Sequence, residues 1–189
     1  MRLVLLALVI ALTGCSQPYA FHGTRLEPPL TLPDFELINQ DGQTVRLSDY
    51  RGQLILLFFG YTHCPDVCPT TLAQFKRVRA QLGKQAERVR FIFVTLDPER
   101  DTPAVLKEFL ATFDPTFIGF TGTTADLEAV WKSYGIYREK RVEGSTYFVD
   151  HTARIYVIDA RGNLRLTWLL DANLSTDDLV QDIQHLMEG

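Results

Sequence analysis

Leu54-Ile55-Leu56-Leu57-Phe58-Phe59-Gly60-Tyr61-Thr62-His63-Cys64-Pro65-Asp66-Val67-Cys68-Pro69 is the stretch that decides the fold. Its first six residues are an unbroken apolar run, which predicts a strand buried on both faces. Beyond the cysteines, Leu72, Phe75, Val78 and Leu82 recur at the spacing of one helix face. Cys64 and Cys68 therefore stand where a central strand hands over to a helix N-terminus. The unpaired backbone N–H groups and positive dipole end of such a terminus favour thiolate over thiol. A thiolate is both the nucleophile of disulfide exchange and a soft metal ligand, and both uses are open to this pair.

The spacing is Cys-x-x-x-Cys, one residue longer than the common dithiol redox motif. Positions four apart on a regular helix hold their Cβ atoms about 5–6 Å apart. A disulfide wants about 3.5–4.5 Å, so closing one here needs local adjustment. Two sulfurs on one metal ion face no such limit, at about 2.3 Å per bond. Of the two helix starts that the prolines allow, a tight turn over Cys64–Cys68 with the regular helix beginning at Pro69 is the expected one.

Working outward, the chain of 189 residues is 46% hydrophobic and 22% charged, enough for one domain with a full core. Nineteen basic against 23 acidic residues give a net charge of −4, which argues against a nucleic-acid partner or a polybasic membrane patch. Three cysteines are too few for a disulfide scaffold. The third, Cys15, is explained by position. Arg2 and the apolar run Leu3 to Leu12 have the length of a signal-peptide core, not of a membrane span. Leu12-Thr13-Gly14-Cys15 resembles a bacterial lipobox, in which the cysteine becomes the lipid-modified first residue of the mature chain. Residues 1–14 are thus expected to be a lipoprotein signal peptide, 15–33 a proline-containing tether and 34–189 the domain. That places the domain outside the cytoplasm on a membrane anchor, where an exported dithiol needs a reducing partner.

Within the domain, Asp41-Gly42 predicts an N-terminal hairpin between residues 35–38 and 44–47. Residues 90–96 read as a second buried strand, and Thr102 with Pro103 as the cap and first position of a helix. Residues 117–121 predict a third strand, and Thr123 with Asp126 a capped helix reaching Tyr134. Strands at 147–149, 153–158 and 164–170 and a last helix from Thr176 to Met187 complete the pattern. The alternation gives an α/β fold, a mixed thioredoxin-like sheet with helices on both faces and the N-terminal hairpin as an extension. Among the histidines, His22 and His185 read as solvated surface and His63 as a modulator beside Cys64. His151 lies in the loop before a strand, which in a thioredoxin-like sheet faces the dithiol.

Three motifs stand in order: Gly60 to Pro69; Thr95-Leu96-Asp97-Pro98-Glu99-Arg100-Asp101-Thr102-Pro103; and Val149-Asp150-His151 with Ile155 to Asp159. Together they resemble the SCO/SenC family over about residues 30–188. The family is thioredoxin-like, membrane-tethered and copper-carrying, and assists the CuA centre of cytochrome c oxidase. The resemblance implies that Cys64, Cys68 and His151 bind one copper ion per chain, as Cu(I) or Cu(II), with Asp97 and Asp101 supporting them from behind. It implies as partners the oxidase subunit that bears CuA and another exported copper carrier, with no nucleic acid. The expected role is a metallochaperone without turnover. The alternative is a thiol–disulfide oxidoreductase with Cys64 and Cys68 as the catalytic redox pair, reducing the cysteines of that subunit or of another copper carrier. Thioredoxin-like reductases usually place a cis-proline before the strand facing the dithiol, and His151-Thr152-Ala153 has none. Residues 136–146 are expected to form a flap or a solvated hairpin nearby.

Overall fold

In the computed structural model, residues 19–170 and 175–188 are described. In chain order they form β1 (Thr24–Thr31), β2 (Glu36–Asn39), β3 (Thr44–Arg46), β4 (Leu54–Gly60), α1 (Val67–Leu82), β5 (Val89–Thr95), α2 (Pro103–Ala111), β6 (Ile118–Thr121), α3 (Thr124–Ser133), β7 (Arg138–Glu143), β8 (Thr146–His151), β9 (Arg154–Ile158), β10 (Asn163–Leu169) and α4 (Thr176–Glu188). Eight strands make one sheet in the order β1-β10-β9-β4-β5-β6-β2-β3, while β7 and β8 form a separate two-stranded ribbon. The apolar run becomes β4, every residue of it buried. It pairs in parallel with β5 and antiparallel with β9, so its carboxyl end points into the middle of one sheet edge.

The two faces of the sheet are covered separately, as a two-sided apolar strand requires. On one face Phe75 of α1 packs on Phe91, Phe109 of α2 packs on Phe93, and Trp168 of β10 donates from Nε1 to Asp182 of α4 at 3.0 Å. On the other, Phe59, Tyr156, Phe35 and Phe120 gather with Tyr134, the residue that ends α3. The expected caps are present: Thr102 Oγ1 accepts from Val105 N, and Thr123 Oγ1 from Asp126 N. The hairpin β2–β3 turns at Asp41-Gly42, with Gly42 at φ 76°, and joins the sheet through β6.

Two expectations are corrected. Helix α1 begins at Val67 and not at Pro69, which puts Cys68 inside its first turn. Pro69 is tolerated because the first N–H groups of a helix have no intrahelical acceptor to lose. The tether expected over 15–33 is also shorter, because Thr24–Thr31 pair with β10 as the edge strand of the sheet. Pro28 and Pro29 concealed it, yet an edge strand needs hydrogen bonds on one side only. The expected signal peptide and lipid-bearing Cys15 lie outside the described residues.

Candidate metal centre

Gly60 ends β4 with no room for a side chain. A Cβ there would come within 2.7 Å of Cys68 Sγ and within 2.9 Å of the Phe58 and Phe93 rings. The chain then turns, Cys64 N–H donating to the Tyr61 carbonyl at 3.2 Å. Cys64 emerges half-buried, and Cys68, in the first turn of α1, is fully buried beneath it. The Cys68 N–H points at Cys64 Sγ at 3.4 Å, a donor supplied by the helix start. Both cysteines are free thiols.

These thiols are unequal acids. Hydrogen bonding from the Cys68 side chain, then from His151 and from the backbone N–H groups of Asp66 and Cys68, lowers the Cys64 pKa to about 4 against the opposing pull of burial. Burial, reinforced by the neighbouring Cys64 sulfur, drives the Cys68 pKa up. The metal-free pair thus holds one thiolate, at the more exposed position, and one proton, at the buried one.

His151 arrives from the far end of the β7–β8 ribbon. Its Nδ1 lies 2.9 Å from the Thr152 carbonyl, which only accepts, so Nδ1 carries the proton. Nε2 faces Cys68 Sγ at 3.9 Å. Tyr61 stands edge-on to the imidazole, with ring centroids 6.0 Å apart. Cys64, Cys68 and His151 together place two sulfurs and one nitrogen within 4.8 Å of one another, the only such metal-capable group among the described residues. Bonds of about 2.0–2.3 Å spread around one ion separate its donors by about 3.5–4 Å, so little closure is needed. The set opens on a groove of about 310 Å³ walled by Pro65, Val67, Phe148 and Ala153, which gives a ligand or partner access to Cys64.

The two aspartates do not touch the donor atoms. Asp101, fully buried, accepts from Thr62 Oγ1 and Thr95 Oγ1, both at 2.6 Å, and from Thr62 N. It holds the turn that leads into Cys64, and burial raises its pKa. Asp97 accepts from the Tyr147 hydroxyl at 2.8 Å and pairs with Arg100. It therefore acts on the ribbon that carries His151. His63 is exposed and lies outside the donor set, its Nδ1 3.0 Å from Thr62 Oγ1.

Sequence reasoning missed a second polar cluster, remote from this one. His22 and His185, read as free surface, help strap residues 19–23 to α4. Asp182, buried in that helix, accepts from Tyr19 Oη, His22 N, Gly23 N and Trp168 Nε1. Tyr19 stacks on His185 at 4.2 Å. The only signal for it was an acid at an inward position of an otherwise amphipathic helix.

The SCO1/SenC family model matches residues 24–188. A SCO2-like protein of Rickettsia felis is 39% identical over 144 residues, covering 74% of this chain and 70% of its own. The structure of Bradyrhizobium japonicum ScoI with copper bound superposes with a TM-score of 0.76 at 38% identity, covering 82% of this chain and 99% of that one. BsSco, a member of the Sco family of cytochrome c oxidase assembly proteins in which a disulfide switch is identified, gives a TM-score of 0.68 at 25% identity, over 85% of this chain and 95% of its own.

Proposed function

This chain belongs to the SCO1/SenC family, and from that premise we propose that it carries copper as cargo on Cys64, Cys68 and His151 and delivers it to the CuA centre of cytochrome c oxidase. The observation that carries the reading is the donor set itself, two cysteine sulfurs and an imidazole nitrogen within 4.8 Å at the mouth of a groove. Two thiolates and a nitrogen make a soft, low-coordinate site suited to Cu(I), and the same atoms hold Cu(II). Cys64 is already a thiolate, so loading requires only Cys68 to release its proton. His151 stands on a different element from the two sulfurs. Its withdrawal leaves a two-sulfur site that a partner's ligands enter from the groove. The domain works outside the cytoplasm on a lipid attached at Cys15.

The decisive experiment titrates copper into the reduced soluble chain starting at Ser16, which keeps β1 and the strap on α4. One ion per chain, both thiols shielded from alkylation and a thiolate-to-Cu(II) absorption band support the carrier. Copper that only oxidises the pair to a disulfide refutes it.

The unequal thiols favour a second reading, reduction of a partner's disulfide. Cys64 thiolate would attack one partner sulfur, forming a mixed disulfide and expelling the other as thiolate. Cys68 would then lose its proton and attack Cys64 Sγ, freeing the second partner thiolate. Two electrons pass to the partner and a Cys64–Cys68 disulfide remains.

A further inference from the structure

His151 is delivered by a ribbon with no strand pairing to the main sheet, so whatever fixes the ribbon fixes the nitrogen donor. Tyr147, Val149 and His151 alternate with Phe148 and Asp150 along β8 and share its inward face. In the loop between β5 and α2, Arg100 meets that face. Its Nε pairs with the buried Asp97 carboxylate, and its Nη1 donates to the Tyr147 carbonyl at 3.2 Å. The guanidinium lies 3.6 Å from the Tyr147 ring centroid and 5.9 Å from that of Tyr61. The Tyr147 hydroxyl returns to Asp97 at 2.8 Å, closing a ring of contacts through Asp97, Arg100 and Tyr147. Lys140, opposite on β7, lies 3.8 Å over the same tyrosine ring while its Nζ reaches Glu99 at 2.7 Å.

This ring is specific in geometry. It uses a planar fork to bind a carboxylate, a carbonyl and an aromatic face at once, which an ammonium group cannot do. Arg100 Nη2 is buried with no hydrogen-bond partner among the described residues, an unfavourable arrangement that the remaining contacts of the side chain outweigh. The sulfurs, by contrast, stand in the turn after β4 and on α1, away from the ribbon.

We propose that Asp97, Arg100 and Tyr147 form a latch that positions His151 and thereby sets the copper affinity of the site. Arg100 and Tyr147 are positioning residues, and Asp97 acts through them. The inference rests on the copper-carrier reading above and adds what governs release, because opening the latch withdraws the nitrogen and leaves the sulfurs in place.

The test is a double-variant cycle on the reduced full-length protein in detergent micelles, with Cu(I) affinity read by competition against a chromophoric chelator. Tyr147→Phe removes one hydroxyl, and Arg100→Met keeps bulk while removing the fork. Each is expected to weaken Cu(I) by about tenfold or more, and neither to weaken it further in a His151→Ala background. The midpoint potential of the metal-free Cys64/Cys68 couple should stay unchanged in Tyr147→Phe. Full affinity in both single variants overturns the latch, as does an equal further loss without His151, which would mean a field effect on the sulfurs. Should Arg100→Met fail to fold, Tyr147→Phe decides alone. A wild-type protein that takes up no Cu(I) sinks the carrier reading instead. The latch is then judged by amide exchange in β8, which Tyr147→Phe speeds if the ring holds the ribbon and leaves unchanged if it does not.

Discussion

Three residues separate Cys64 from Cys68, and the fold makes different acids of them. The first ends in a groove among hydrogen-bond donors, while the second lies under the helix start, where a charge is costly. Iodoacetamide should therefore find one fast thiol in the reduced metal-free protein. Its rate is flat at neutral pH and falls as pH drops through about 4, where Cys64 gains its proton. Cys64→Ser should abolish that phase, and a midpoint near the ordinary thiol value of about 8.5 would refute the asymmetry. Gly60 makes a second prediction, because a methyl there meets Cys68 Sγ and two aromatic rings. Gly60→Ala should lower stability by about 1–3 kcal/mol, measured by urea denaturation, and an unchanged midpoint would show that the cysteine has room to move. The donor residues were legible in the sequence because chemistry constrains type and order: a cysteine pair at a helix mouth, then a histidine before a sheet strand. The work of Asp97 was not legible. Its partner Tyr147 lies fifty positions away and is recognisable only once the ribbon is folded back.

Among the elements, those whose signal is local matched expectation. β4 and β5 announced themselves as apolar runs, and α2 and α3 by a threonine cap with a proline or an acid at the right offset. Those that depend on a distant partner did so only in part or not at all. β7 is Arg-Glu-Lys-Arg-Val-Glu, with no apolar alternation, and is a strand because its inward side chains bind the β5–α2 loop and Trp131. β1 reads as linker because it carries two prolines and buries almost nothing. The segment before it is held by the Asp182 carboxylate. Asp182→Ala leaves four donors without their acceptor and should cost about 2–3 kcal/mol. Limited proteolysis should then cleave within residues 19–23, whereas Asp178→Ala, which removes a partly exposed contact to His22 and the acceptor of Ser175 N but none of the Asp182 bonds, should leave the segment protected. Equal protection in both variants would mean that stacking on His185 suffices.

On the scale of the whole molecule, the main sheet and its four helices form the body, the ribbon carries the third donor, and the N-terminal strand closes one edge. A chain begun at Asp34 lacks that edge strand and the strap. It should melt well below one begun at Ser16 and aggregate through the bared β10 edge, as light scattering would report. An equal melting temperature would show that β1 contributes nothing. With the signal intact, Cys15→Ala should move the protein from the membrane fraction to the soluble one, and retention would point to an uncleaved anchor. The sheet order also has a mechanical consequence. Tension on the chain before Tyr19 reaches the body first at one carboxylate and then as shear along β1. Two further strands, β10 and β9, lie between it and β4. On the proposed lipid anchor, a pull from a moving membrane would be spent at the sheet's edge before it strained the spacing of two sulfurs and a nitrogen.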